Sequence, residues 1–207
     1  MGKLDINKKK KRESIFSTAF SIFTDKGVSK TSISEIVEQA GVAKGTFYLY
    51  FKDKYDLKNK LVSHQSSLIF KNAIEALNNI DKSKLEFADR IIFIIDNIID
   101  QLSKNPRLLQ FISKNLSWGI FKNAVTSLET ANEDDITFKY VYEKMLIEDA
   151  PVIFDDPEIM LFMIVELVSS TIYSSILYKE PVELDKLKPY LYRAVRQIIK
   201  SHEIEAK

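Results

Sequence analysis

The chain has no cysteine, and only two histidines, five glycines and five prolines among its 207 residues. Without cysteine there is no disulfide, no thiolate metal site and no cysteine nucleophile. His64 and His202 are too few and too far apart in sequence for a metal centre, so no metal ligand and no cofactor is expected. With no Gly-rich phosphate loop either, the sequence offers no catalytic constellation, and no catalytic residue is assigned. Few glycines and prolines imply long helices and few loops. No apolar run of about 18 residues is free of charge, so no membrane span is expected. The N-terminal lysines lack the apolar stretch of a secretory signal. Strand patterns, internal repeats and low-complexity linkers are missing too. The expectation is a soluble, cytoplasmic protein that is not an enzyme.

What is present is an ordinary globular composition, 45% hydrophobic and 29% charged, long enough for one large or two small domains. The net charge of +1 hides an asymmetry. Residues 1–60 carry 13 Lys and Arg against seven Asp and Glu, whereas residues 61–207 carry 17 against 22. A basic N-terminal third on an acidic remainder suggests a polyanion-binding module joined to a body that is not one.

The most informative stretch is Thr31 to Leu57, TSISEIVEQAGVAKGTFYLYFKDKYDL. Ile33, Ile36, Val37 and Ala40 recur at helical spacing and give a short helix one apolar face. Ser32 stands three residues before Glu35, the spacing of a capping box. Gly41 supplies a stop, because it adopts left-handed backbone angles without a Cβ penalty. From Val42 a second short segment carries Lys44, Gly45, Thr46, Tyr48 and Tyr50 around apolar Phe47 and Phe51. An apolar helix, a glycine turn and a short helix with a basic, hydroxyl-bearing face form a helix-turn-helix pattern.

Around it, residues 1–11 read as a basic, disordered arm able to follow phosphates. A first helix from about Arg12 places Ile15, Ala19, Ile22 and Phe23 on one face and ends at Gly27. Asp53 can cap a fourth helix, about Lys54 to Asn78, with Leu57, Leu61 and Leu68 in its buried stripe. Ser83 and Glu86 have capping-box spacing ahead of a helix through Ile91, Ile95, Ile99 and Leu102. Further helices are expected over 108–128, with a break at Trp118-Gly119, and over 135–147. Ile159 to Tyr178 is apolar nearly all round, and Leu184 to Ser201 carries an apolar face. With nothing else in the chain to cover 157–201, a second copy is the natural partner there.

Thr31, Ile33, Ile36, Ala40-Gly41-Val42, Gly45-Thr46, Tyr48, Phe51, Lys54 and Leu57 resemble the tetracycline-repressor family of bacterial transcriptional regulators. The resemblance is specific over about 12–57; beyond that only the helical layout and chain length agree. Tyr50 stands where that family often has histidine, and Tyr55 where it often has glutamate. The resemblance implies an all-α fold of about nine helices. An N-terminal three-helix helix-turn-helix DNA-binding domain would occupy 12–53, and a larger effector-binding and dimerisation domain 54–207. The last two helices of each subunit would form an intersubunit four-helix bundle.

For DNA, Lys44 and Thr46 begin the recognition helix, where lysine can donate to guanine and a threonine methyl can touch thymine. Ala43 precedes them, Gly45 lets the backbone approach closely, and Tyr48 lies on the face of Lys44. Ser32, Ser34, Tyr50 and Lys54 are assigned to phosphates, which set register rather than sequence. For a small apolar or amphipathic effector, the candidates are Phe111, Trp118, Phe121, Tyr140, Phe162, Glu166 and Tyr173. These are large aromatic or polar residues on otherwise apolar helices, and each competes with plain core packing. Glu166 could equally pair with a partner-subunit arginine such as Arg193 or Arg196.

The expected function is therefore a ligand-responsive, homodimeric transcriptional repressor. It would bind a near-palindromic double-stranded DNA operator, dimerise through 157–201 and be released by its effector. Two alternatives stand beside it: a DNA-binding regulator without an effector, and an enzyme or ligand carrier.

Overall fold

Gly27 (φ 83°) and Gly41 (φ 65°) adopt left-handed backbone angles and stop the first two helices where the sequence places them. The computed structural model describes residues 3–81, 85–126 and 153–204. Among these residues the fold is all-α, with nine helices and one pair of two-residue strands. The helices are α1 (Lys3–Lys26), α2 (Ile33–Gln39), α3 (Lys44–Tyr48), α4 (Lys54–Asn78) and α5 (Phe87–Ser103), then α6 (Pro106–Asn115), α7 (Trp118–Thr126), α8 (Pro157–Tyr178) and α9 (Leu184–His202). Strand β1 (Ile153–Phe154) pairs antiparallel with β2 (Glu203–Ile204). The helix expected over 135–147 and the cap at Ser83 lie outside the described residues.

The chain divides into two compact units, residues 1–64 and 65–207. In the first, Ile15, Phe16, Ala19, Ile36, Phe47, Phe51, Leu57 and Leu61 are buried. Phe51 packs against both Phe16 and Phe47, with ring centroids 5.5 and 5.4 Å apart. Side chains fix the connections. The Ser14 hydroxyl donates to the Ala40 carbonyl at 2.9 Å, and the Thr31 hydroxyl to the Gly27 carbonyl at 2.8 Å. Lys26, in the last turn of α1, pairs with Glu35 in α2 at 2.6 Å.

Two expectations are corrected here. Residues 3–11 are the first turns of α1 rather than a disordered arm. Lysine is a good helix former, and nothing after Gly2 interrupts the run. In α4 the buried stripe passes from Leu57 and Leu61 to Ile69, Ala73 and Leu77, leaving Leu68 44% exposed. Leu68 stands eleven residues, about three turns, from Leu57 and so keeps to the Leu57 face, whereas the buried residues follow at intervals of four, each advancing about 40° past a full turn, so the buried line rotates away from that face along the helix.

In the second unit α5, α6, α8 and α9 share a core of Ile99, Leu109, Met160, Ile172, Leu191, Val195 and Ile199. Asn105 caps α6 by accepting from the Leu108 N–H at 3.1 Å, with Pro106 in the first turn. Lys188 of α9 bonds Asp96 at 2.6 Å and Asp100 at 3.1 Å, both on α5. The Tyr192 hydroxyl also donates to Asp96. Helix α8 is, by length and composition, apolar enough to cross a membrane despite Glu158 and Glu166. It buries Met160, Leu161, Ile164, Val168 and Ile172 on one side, while Ile159, Phe162, Met163 and Tyr178 remain exposed.

Candidate functional site

Helix α3 has five residues, and its orientation is set by Phe47, which is fully buried. Burying Phe47 turns Lys44 and Gly45 outward, leaves Tyr48 53% exposed and keeps Thr46 half-buried. Ala43 precedes the helix in extended conformation and is exposed. A Cβ added to Gly45 would meet nothing within 4 Å. No contact inside the protein therefore requires glycine there, and the open backbone suits close approach by an external partner.

The residues assigned to phosphates divide. Ser34 is exposed. The Ser32 hydroxyl is exposed too, but it accepts the Glu35 N–H at 3.1 Å and so caps α2. The Tyr50 hydroxyl donates to the Lys8 carbonyl at 3.3 Å, tying the start of α1 to the end of the motif. Lys54 is placed differently from expectation. Its ammonium donates to the carbonyls of Ser29 and Thr31, each at 2.9 Å, and so holds the loop between α1 and α2. Sequence reasoning also passed over Leu49, 77% exposed beside Tyr48. An apolar residue at the end of a short apolar segment gives no signal that it points outward.

The electrostatics follow the pairing. Lys26 is held by Glu35 and Lys60 by Asp56. The Lys26 hydrogen bond keeps the Glu35 carboxyl below its ordinary value. Burial pushes Asp56 upward, but hydrogen bonds from the Lys52 N–H and the Lys60 ammonium outweigh it and hold Asp56 low. Lys8 to Lys11, Lys44 and Lys52 are exposed. An exposed set of cations around an outward helix face is what phosphate binding needs.

The second unit contains a partly open cavity of about 160 Å³. Among the described residues its walls are almost wholly aliphatic, including Ile69, Ile95, Ile164 and Val168, with Phe70 and Phe121 the two aromatics and Ser66, Ser113 and Ser169 the only polar residues. A second, smaller pocket of about 50 Å³ shares Ser113, Leu116, Phe121, Val165 and Ser169 and adds Ser117, Trp118 and Glu166. Of the expected effector residues, Phe121 lines both, and Trp118 and Glu166 line the smaller one. Phe111 is buried, and Phe162 is 41% exposed with its ring against Trp118 at 5.4 Å. The Tyr173 hydroxyl meets that of Tyr178 at 3.5 Å. None of these three lines either pocket, and Tyr140 lies outside the described residues. Glu166 is exposed, so its position in an apolar helix needs no buried partner. Arg196 pairs with Asp89 at 2.7 Å, and Arg193 stacks on Tyr190 at 5.1 Å. The isoleucine walls escaped sequence reasoning because a lining isoleucine and a core isoleucine look alike in a helical stripe.

Residues 15–61 match the family described as "Bacterial regulatory proteins, tetR family". Among curated proteins, the chain is 33% identical over 91 residues to the HTH-type transcriptional regulator YvdT of Bacillus subtilis (strain 168). The match covers 44% of this chain and 43% of YvdT, so this chain spans less than half of that relative's length. In fold it is similar to a tetR-family transcription regulator from Shewanella sp. PV-4. The TM-score is 0.64 and the identity 16%, over 94% of this chain and 99% of that one. It is also similar to the transcriptional regulator FadR from Bacillus subtilis, whose structure holds stearoyl-CoA. There the TM-score is 0.57 and the identity 18%, over 88% and 96% of the two chains.

Proposed function

We propose that this chain is a DNA-binding transcriptional regulator of the tetR type, a homodimeric repressor whose operator binding responds to a small molecule. The observation that carries the DNA-binding part is α3 itself. Burial of Phe47 fixes which side faces inward, and Lys44, Gly45 and Tyr48 occupy the other. Lys44 and Tyr48 read base edges and, with Ser34 and the exposed lysines, contact phosphates. Leu49 adds an apolar contact for a thymine methyl.

Dimerisation through 157–201 is supported by apolar side chains that the second unit leaves exposed. Ile159, Phe162, Met163 and Tyr178 on α8 and Tyr190 on α9 form such a set. A two-fold dimer reading successive major grooves requires a near-palindromic site with half-sites about 34–36 Å apart. Response to a small molecule is supported by the aliphatic cavity. Ser66, Ile69, Phe70 and Ile74, on the later turns of α4, line it, and the same helix begins at Lys54 beside the motif. A ligand that prefers one setting of α4 over another couples reciprocally to DNA affinity. The fold shared with FadR, a regulator whose structure holds stearoyl-CoA, is consistent with a ligand-binding second unit.

The test is to select duplex DNA from a random pool with the full-length protein, then titrate it by fluorescence anisotropy. The expected result is a near-palindromic consensus bound by two protomers, with affinity falling steeply as salt rises. A consensus without two-fold symmetry, bound by one protomer, would sink the homodimer reading. DNA affinity left unchanged by Lys44→Ala would sink the assignment of α3.

A further inference from the structure

Ser66 is 4% exposed, lines the 160 Å³ cavity, and its hydroxyl has no hydrogen-bond partner among the described residues. Neighbouring hydroxyls in the same unit do find carbonyls. Ser67 donates to Ala124 at 2.7 Å, Thr171 to Leu167 at 2.7 Å and Ser175 to Val182 at 2.8 Å. A buried hydroxyl left unmatched is costly, because it gives up water and receives nothing in return. Facing an aliphatic cavity, it marks where a ligand atom supplies the missing bond.

The cavity narrows the ligand's chemistry in three ways. Among the described residues its lining holds no charged side chain, so an ionised group against them would be buried without a counter-charge. Its size is close to that of an apolar protein cavity of about 150 Å³ that stays dry and takes benzene. One ring or a short branched chain fits it, whereas a stearoyl chain occupies several times that volume. Its polar groups among the described residues are three serine hydroxyls, and that of Ser169 already donates to the Glu166 carbonyl at 3.3 Å. Water needs two to four polar partners and is poorly served by so apolar a wall.

We propose that this cavity binds a small, uncharged molecule with a hydrocarbon body of about one ring and a single oxygen that hydrogen-bonds Ser66. The proposal rests on the reading of the second unit as ligand-responsive and gives that site its ligand class. The protein carries its own reporter. Trp118, the sole tryptophan, stacks on Phe121 with centroids 5.1 Å apart, and Phe121 lines the cavity.

The experiment uses the full-length protein without DNA, with Trp118 fluorescence followed against cyclohexanol, cyclohexanecarboxylate and stearoyl-CoA. Cyclohexanol should bind saturably and the carboxylate at least tenfold more weakly. Ser66→Ala should weaken cyclohexanol about five- to tenfold, the loss of one hydrogen bond. The ligand-free Ser66→Ala protein should melt no lower than the wild type, since it loses an unmatched hydroxyl. Ile164→Phe, which fills the cavity, should abolish binding while far-UV circular dichroism shows an intact helical fold. No saturable cyclohexanol binding, equal binding to Ser66→Ala, or equal binding of the carboxylate would each overturn the proposal. Tight stearoyl-CoA binding without cyclohexanol binding would overturn the ligand class yet leave a ligand-responsive protein. Ser66-dependent cyclohexanol binding that never alters anisotropy of the selected DNA would uphold the site and overturn the response.

Discussion

Lys44 and Lys54 are both lysines of the motif, yet their side chains do different work. Lys44 is exposed, and Lys54 spends two N–H groups on the Ser29 and Thr31 carbonyls. Lys44→Ala should therefore weaken binding to the selected DNA by about 1–3 kcal/mol, the range for one base contact, with the melting temperature unchanged. Lys54→Met should destabilise the first unit by about 1 kcal/mol, the net worth of a modest set of hydrogen bonds, which differential scanning calorimetry would register before any DNA is added. If Lys54→Met melts like the wild type, the loop-holding role is wrong. Spacing within one turn of helix was enough to put Phe47 and Phe51 inside and Lys44 and Tyr48 outside. It was not enough for Lys54, whose acceptors stand 25 and 23 residues away in sequence. Nor could it show Ser66, whose distinction is a missing partner.

Helices α5 and α9 are clamped by the Asp96 cluster. Burial raises the Asp96 carboxyl, but hydrogen bonds from Lys188 and Tyr192 prevail and hold it below its ordinary value. Burial works against the Lys188 ammonium, yet its bonds to Asp96 and Asp100 raise its pKa, and burial beside Asp96 pushes the Tyr192 phenol up as well. A carboxylate depressed on folding stabilises the fold above its unfolded pKa, about 3.9, and that contribution is lost as pH falls through the folded value. Asp96→Asn should thus lower the melting temperature at pH 6, with the gap to wild type closing below about pH 4; a gap constant from pH 6 to 3 would refute the clamp. On α8, Phe162→Glu places a charge on the exposed apolar face and should convert a dimer to monomers in sedimentation equilibrium. A dimer that persists would move the interface elsewhere. The existence of these helices was legible from their 3.6-residue periodicity. Their start and side-chain detail were less so, as α1 beginning at Lys3 and Leu68 facing solvent illustrate.

For the whole molecule, the proposed response to ligand implies one coupling free energy that can be measured from either end. If a ligand weakens DNA affinity tenfold, DNA must weaken ligand affinity tenfold. Trp118 titrations with and without the selected duplex measure one side, and anisotropy with and without ligand the other; unequal factors would break the two-state coupling. The sequence by itself determined the helical class, the basic first third and the helix-turn-helix. Each depends on residue type and on contacts within a turn or two, which periodicity and capping residues encode locally. Only the tertiary structure decided which wall residues surround a cavity, that Ser66 lines it without a partner among the described residues, and that Lys54 serves the α1–α2 loop. Those facts arise where helices distant in sequence meet, and an isoleucine facing a void carries the same letter as one facing a neighbour.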